Sequence, residues 1–250
     1  LSLHDALPIS TVTDAKFVGL KNYLRVFSDS TFMHALWFTA LFTIVSVLTI
    51  NVFAFVIAML LTKGIKGTNF FRTVFFMPNL IGGIVLGYIW QILLNGILGH
   101  FGRTLTYSSS YGFWGLIILM NWQQVGYMMI IYIAGIQNIP GELIEAAKMD
   151  GASNWQLLKS VTIPMVMPSI TICTFLTLTN SFKLFDQNLA LTAGEPSNNS
   201  QMLALNIFET FYGRTGWEGV GQAKAVIFFI IVAVIALAQD RKSTRLNSSH

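Results

Sequence analysis

Residues 35–62 run without an Asp, Glu, Lys or Arg. A helix rises 1.5 Å per residue, so about 20 mainly apolar residues cross the hydrocarbon core of a bilayer. This stretch is long enough to span with tilt. The feature recurs along the chain: 54% of the 250 residues are hydrophobic, 13% aromatic and 10% charged, whereas an ordinary soluble domain carries about 25% charged residues. The expected class is an all-α membrane protein forming one membrane domain, with little chain left over for a separate water-soluble core.

Four more spans follow, at residues 73–94, 111–136, 163–182 and 219–239. The second contains Pro78, Asn79, Gly82, Gly83 and Gly87, and the GxxxG spacing of Gly83 and Gly87 favours close helix packing over a ligand contact. Lys224 lies near one end of the fifth, where its stem can snorkel to the interface. Lone Cys173 sits in an apolar segment and suits packing.

Basic residues of short loops stay cytoplasmic. Lys63, Lys66 and Arg72 therefore place the loop after the first span inside. Alternation then puts 95–110 outside, the loop around 139–163 inside, 191–218 outside and the C-terminus inside. The segment 11–34 is external, and "FVGLKNYLRVF", with Phe17, Leu20, Tyr23, Leu24 and Phe27 at helical spacing, reads as an interfacial amphipathic helix. Nothing apolar before it would carry it across, so one more N-terminal span is expected in the natural protein. Residues 1–10, "LSLHDALPIS", and the tail 240–250 continue no neighbouring pattern and read as non-native sequence.

Several function classes drop out. Asp240, Arg241, Lys242 and Arg245 supply half of the net charge of +4, so no nucleic-acid footprint follows. His4, His34, His100 and His250 are scattered without metal spacing or a hydrolytic set. The chain has no GxxxxGK[ST] loop, so it is not expected to bind ATP itself.

Between the third and fourth spans the chain reads "IPGELIEAAKMDGASNWQLLKSVTIPMVMP". Pro140 suits a first helical turn, Glu142 and Glu145 suit the positive end of a helix dipole, and Asp150-Gly151 stops the helix. Ser153 and Gln156 form a capping-box pattern for a second short helix, from 154 to about 162, which Pro164 ends. Ala146, Ala147, Gly151 and Ala152 keep the backbone low enough for another protein to approach. An ordinary amphipathic connector fits the same residues.

This stretch resembles the EAA loop of binding-protein-dependent ABC importers: Glu-Ala-Ala, three residues, Gly, a hydrophobic helix and then Ile-Pro. "FVGLKNYLRVF", "FFRTVFFMPNLIGG" and "SFKLFD" also fall in the order of the sugar-type permeases, including those for maltose and glycerol phosphate, and the resemblance covers residues 17–239. It implies a type I importer transmembrane domain over 35–239. It further implies that the loop couples to a cytoplasmic ATPase through Glu145, Ala146, Ala147, Asp150, Gly151 and Ala152. The implied partners are an ABC ATPase dimer that binds Mg-ATP, a second homologous permease, an extracytoplasmic solute-binding protein and membrane lipid. The implied place is a bacterial-type cytoplasmic membrane.

Polar residues inside spans are functional candidates when they face a cavity. Asn121, Gln123 and Gln124, beside Trp122 and Tyr127, offer amides and aromatic faces suited to a sugar, and interhelical hydrogen bonding competes with that reading. Asn180, Lys183 and Asp186 lie near the outer end of the fourth span, where Lys183 and Asp186 are three residues apart and favour a structural ion pair. Asn79 beside Pro78 is a further pathway candidate. The expected function is ATP-driven import of a sugar or polyol by alternating access. The alternatives are an ion- or proton-coupled carrier, for which Asp186 is the candidate acid, and a non-transporting scaffold.

Overall fold

The computed structural model describes residues 18–247, with side chains described through residue 237. The decapeptide 1–10 and the first part of the segment 11–34 lie outside that range. Among the described residues every regular element is helical. The chain runs α1 (Lys21–Ser28), α2 (Ser30–Leu61), α3 (Thr68–Phe76), α4 (Gly83–Gly99), α5 (Ser109–Gln137), α6 (Gly141–Met149), α7 (Asn154–Leu157), α8 (Ile163–Met165), α9 (Met167–Phe182), α10 (Asp186–Leu191), α11 (Leu203–Tyr212) and α12 (Glu218–Asn247).

α5 is the central post. Of its most apolar stretch 67% is buried within the protein, against 28% for α2 and 22% for α12, so the latter two leave most of their surface outside the chain's own core. α2 packs on α5 and α9, α3 lies on α5, and α1 and α11 pack on α12. Lipid is as apolar as leucine, so buried hydrogen bonds and close packing must select the partners. Tyr132 Oη donates to Asn51 Oδ1 at 2.7 Å, and Asn51 Nδ2 donates to Thr177 Oγ1 at 3.3 Å, tying α2, α5 and α9 together. Cys173 is buried in this core, as its apolar setting predicts.

The three spans expected at 35–62, 111–136 and 219–239 are continuous helices, although α2 begins at Ser30 and α12 carries on through Asn247. The spans expected at 73–94 and 163–182 are broken instead. The segment 68–80 meets 83–99 at 103°, and 154–165 meets 167–182 at 68°. At the first break a 3-10 turn, Met77–Leu80, holds Pro78 at its start, and then Ile81 and Gly82 take extended conformations before α4 starts. At the second, Pro164 and Pro168 each lack an N–H. The chain takes a π turn at Leu158–Thr162 and opens at Val166. Pro164 therefore does not end the short helix near 162; helical backbone continues to Met165.

α1 has two faces. Val26 is buried and Tyr23 packs against the α12 cluster, while Leu20, Leu24 and Phe27 point outward, the arrangement of a helix lying at a membrane surface.

Candidate functional site

α6 and α7 form a short hairpin. Glu142 lies in the first turn of α6 and Lys148 in the last, each complementing the helix dipole. Gly151 closes the helix with φ of +79°, a left-handed conformation that other residues adopt at a cost. Its N–H donates to the Lys148 carbonyl at 3.0 Å, and that of Ala152 to the Ala147 carbonyl at 3.0 Å. Ser153 and Gln156 then make the predicted capping box, with the Ser153 N–H donating to Gln156 Oε1 at 2.8 Å.

The hairpin is anchored on one side by Ile139 and Ile144, which pack into the core. Its other side is bare: α6 and α7 contain no buried residue. Glu145, Ala146, Lys148, Met149, Asp150 and Gly151 are exposed, and Ala147 and Ala152 half-buried. Leu143, Met149 and Trp155 also face outward, Met149 at 83% exposure. Apolar side chains interspersed with small and charged ones make a surface suited to a protein partner.

The second site is a polar cavity of about 320 Å³ lined by Met120, Gln124, Asn180, Lys183, Leu184, Phe185, Asp186 and Gln187. It brings together four predicted residues, Gln124, Asn180, Lys183 and Asp186. α9 ends at Phe182, with Lys183 as its cap, and a new helix starts at Asp186. The two charges therefore share no helix face, and the expected Lys183–Asp186 ion pair is absent. Both side chains are exposed instead. Asn180 Nδ2 lies 3.5 Å from Gln124 Oε1. Three amides, an ammonium, a carboxylate and the Phe185 ring can serve a ligand rich in hydroxyls.

The other candidates lie off this cavity. Asn121 Nδ2 donates to Thr49 Oγ1 at 2.9 Å and to the Ile117 carbonyl at 2.8 Å, an interhelical tie. Trp122 is exposed and meets Trp90 edge-on at 5.7 Å. Tyr127 leans on Phe76, and Asn79 lies half-buried in the turn at the first break. Gln123 is buried, donating to the Ile81 carbonyl at 3.3 Å and accepting from Gln187 Nε2 at 2.8 Å. Sequence reasoning missed Gln187, although it directly follows Asp186.

Lys224 does not snorkel. It is fully buried, and Nζ donates to Asp29 Oδ2, Asn206 Oδ1 and Thr210 Oγ1, each at 2.8 Å. This is the one salt bridge among the described residues. Asp29 also accepts from the N–H and hydroxyl of Thr31, capping α2. Burial opposes its ionisation, but the bonds from Lys224 and Thr31 outweigh that and hold its carboxyl below the usual range.

Comparison with known proteins places this architecture. "Probable starch degradation products transport system permease protein AmyD" of Thermoanaerobacterium thermosulfurigenes is 47% identical over 232 residues, covering 89% of this chain and 79% of that protein. "Multiple sugar-binding transport system permease protein MsmF" of Streptococcus mutans is 32% identical, over 92% of this chain and 82% of that protein. Among solved structures, a bacterial ABC transporter involved in the import of the acidic polysaccharide alginate superposes with a TM-score of 0.79 at 19% identity, over 92% of this chain and 84% of that one. The MetNI methionine ABC transporter superposes at 0.64 and 19% identity, over 86% and 95%. These likenesses show the fold, the transmembrane domain of an ABC importer. The family of "Binding-protein-dependent transport system inner membrane component" matches residues 30–247, and the chain belongs to it.

Proposed function

We propose that this inner-membrane permease subunit imports glucose oligosaccharides of the kind released from starch. The observation that carries the substrate class is the 47% identity, across most of both chains, to a permease named for starch degradation products. In this reading an extracytoplasmic binding protein delivers the sugar, and a second, homologous permease completes the pathway. A dimeric ATPase binds Mg-ATP on the cytoplasmic side. The cavity around Asn180, Lys183 and Asp186 lies on the sugar's route, where amides and the Phe185 face match hydroxyls and the apolar face of a ring. The α6–α7 hairpin docks on the ATPase, with Glu145, Asp150 and Lys148 orienting it while Ala146, Ala147, Gly151 and Ala152 allow close approach. Its bare outer side supports this role.

The test is uptake of radiolabelled maltotriose by proteoliposomes holding this chain, its partner permease, its ATPase and its binding protein. ATP-dependent uptake that unlabelled maltotriose suppresses, and a trisaccharide that is not a glucose oligomer, such as raffinose, does not, is the expected result. Uptake of raffinose with maltotriose ignored would overturn the substrate class. Replacing Gly151 with Glu should abolish substrate-stimulated ATP hydrolysis while leaving membrane insertion intact; unchanged stimulation would overturn the docking role.

A further inference from the structure

The break in the second span has a consequence for the cavity. Ile81 is extended, and no main-chain N–H serves its carbonyl. A carbonyl left unserved in a membrane interior is costly. Gln123 of α5 serves it, and Gln123 in turn accepts from Gln187 of α10, which lines the polar cavity. Three groups thus form a line from cavity wall to helix break. Gln123 is buried and does not line the cavity itself.

A second, independent observation joins the same two places. A Cβ on Gly83 would lie 2.7 Å from Asp186 Cβ and 3.0 Å from Gln187 Cδ, and one on Gly87 would lie 2.5 Å from Ala190 Cβ. The first two turns of α4 therefore lie against α10 with no room for a methyl group. The helix that supplies Asp186 and Gln187 to the cavity is locked to the half-span immediately beyond the break, and the two halves of the span are joined only through residues 81 and 82.

We propose that Gln123 and Gln187 are positioning residues that relay occupancy of the cavity to the break at Ile81–Gly82. This rests on the reading of the cavity as part of the sugar's route. A sugar hydroxyl that engages the Gln187 amide competes with Gln123 for it. Gln123 then loses its brace and relaxes its hold on Ile81. The two half-spans, one fixed to α10 and the other to α5, become free to change their angle. The relay sets the rate of the conformational step and leaves the affinity of the cavity to its lining residues.

The test uses the assembled complex in proteoliposomes, with maltotriose as the probe. Gln123→Met, an unbranched replacement of similar length, removes the hold on Ile81 that sugar otherwise releases, so ATP hydrolysis without sugar should rise about tenfold while the half-saturating maltotriose concentration stays within about twofold. Gln123→Met combined with Gln187→Met should hydrolyse ATP without sugar no faster than the faster single variant, since both cut one line. Wild-type hydrolysis without sugar in Gln123→Met, or two effects that multiply, would overturn the relay. Should Gln123→Met fail to assemble, Gln187→Met decides: raised hydrolysis without sugar supports the relay and unchanged hydrolysis overturns it. Asn180→Leu tests the cavity separately. An unchanged half-saturating concentration there sinks the cavity reading, whereas a raised one with normal Gln123→Met kinetics sinks the relay alone.

Discussion

Two groups of charged and amide side chains sit among the spans of this permease, and they are built in opposite ways. Around Lys224 every ammonium donor has an acceptor at 2.8 Å, Asp29 is capped from both sides, and the lysine is sealed from solvent. Around Lys183 and Asp186 the charges are exposed, unpaired and face a cavity. A saturated group has no hydrogen-bonding capacity left for a ligand, while an unsaturated one keeps it available. Charge inside a membrane protein therefore says little about function until its partners are counted.

The comparison can be broken at its strongest point first. Lys224→Met removes the counter-charge of Asp29, and breaking a buried pair typically costs about 3–5 kcal/mol. Detergent-titrated unfolding should show a loss of that order, and Lys224→Met with Asp29→Asn should regain most of it. A single variant as stable as wild type would dissolve the distinction. Thr210→Val removes one of the three acceptors of Lys224, and a hydrogen bond to a charged group is worth about 2 kcal/mol; the same assay reads it.

Across the divide, Asn180→Leu should raise the half-saturating sugar concentration about tenfold, yet shift stability by less than about 0.5 kcal/mol. A large stability loss there would make the cavity another structural cluster. The smallest effect is the dependence on acid. The Asp29 carboxyl is held low, so its contribution is complete above the ordinary aspartate value of about 3.9 and is lost as pH falls through the lower folded value. Asp29→Asn should flatten that part of the stability profile. An identical acid limb in the variant would show that other groups produce it.

Much of the fold was legible because a bilayer imposes length and apolarity on each span. The breaks were less so. Pro78 and Gly82 could equally have stood in one kinked helix, and the 103° turn depends on how α4 packs on α10. The hairpin was readable down to its capping box, because Ser153 and Gln156 bond to each other locally. Lys224 was not, since its partner lies 195 residues away and nothing near it in sequence distinguishes a paired lysine from a snorkelling one. Lys183 and Asp186 had helix-like spacing, but the helix ends between them. Gln123 stood out as an intramembrane amide, while its role depends on a carbonyl that only the break exposes.

That separation also sets an order of events during synthesis. Asp29 leaves the ribosome 195 residues before its counterion, which arrives only with α12. Until then the start of α2 waits with its acid unmatched, and Asn206 and Thr210 of α11 have no ammonium to gather around. Arrival of α12 is thus what locks the start of α2, and a nascent polypeptide cut short before Lys224 leaves the acid of Asp29 without its counterion.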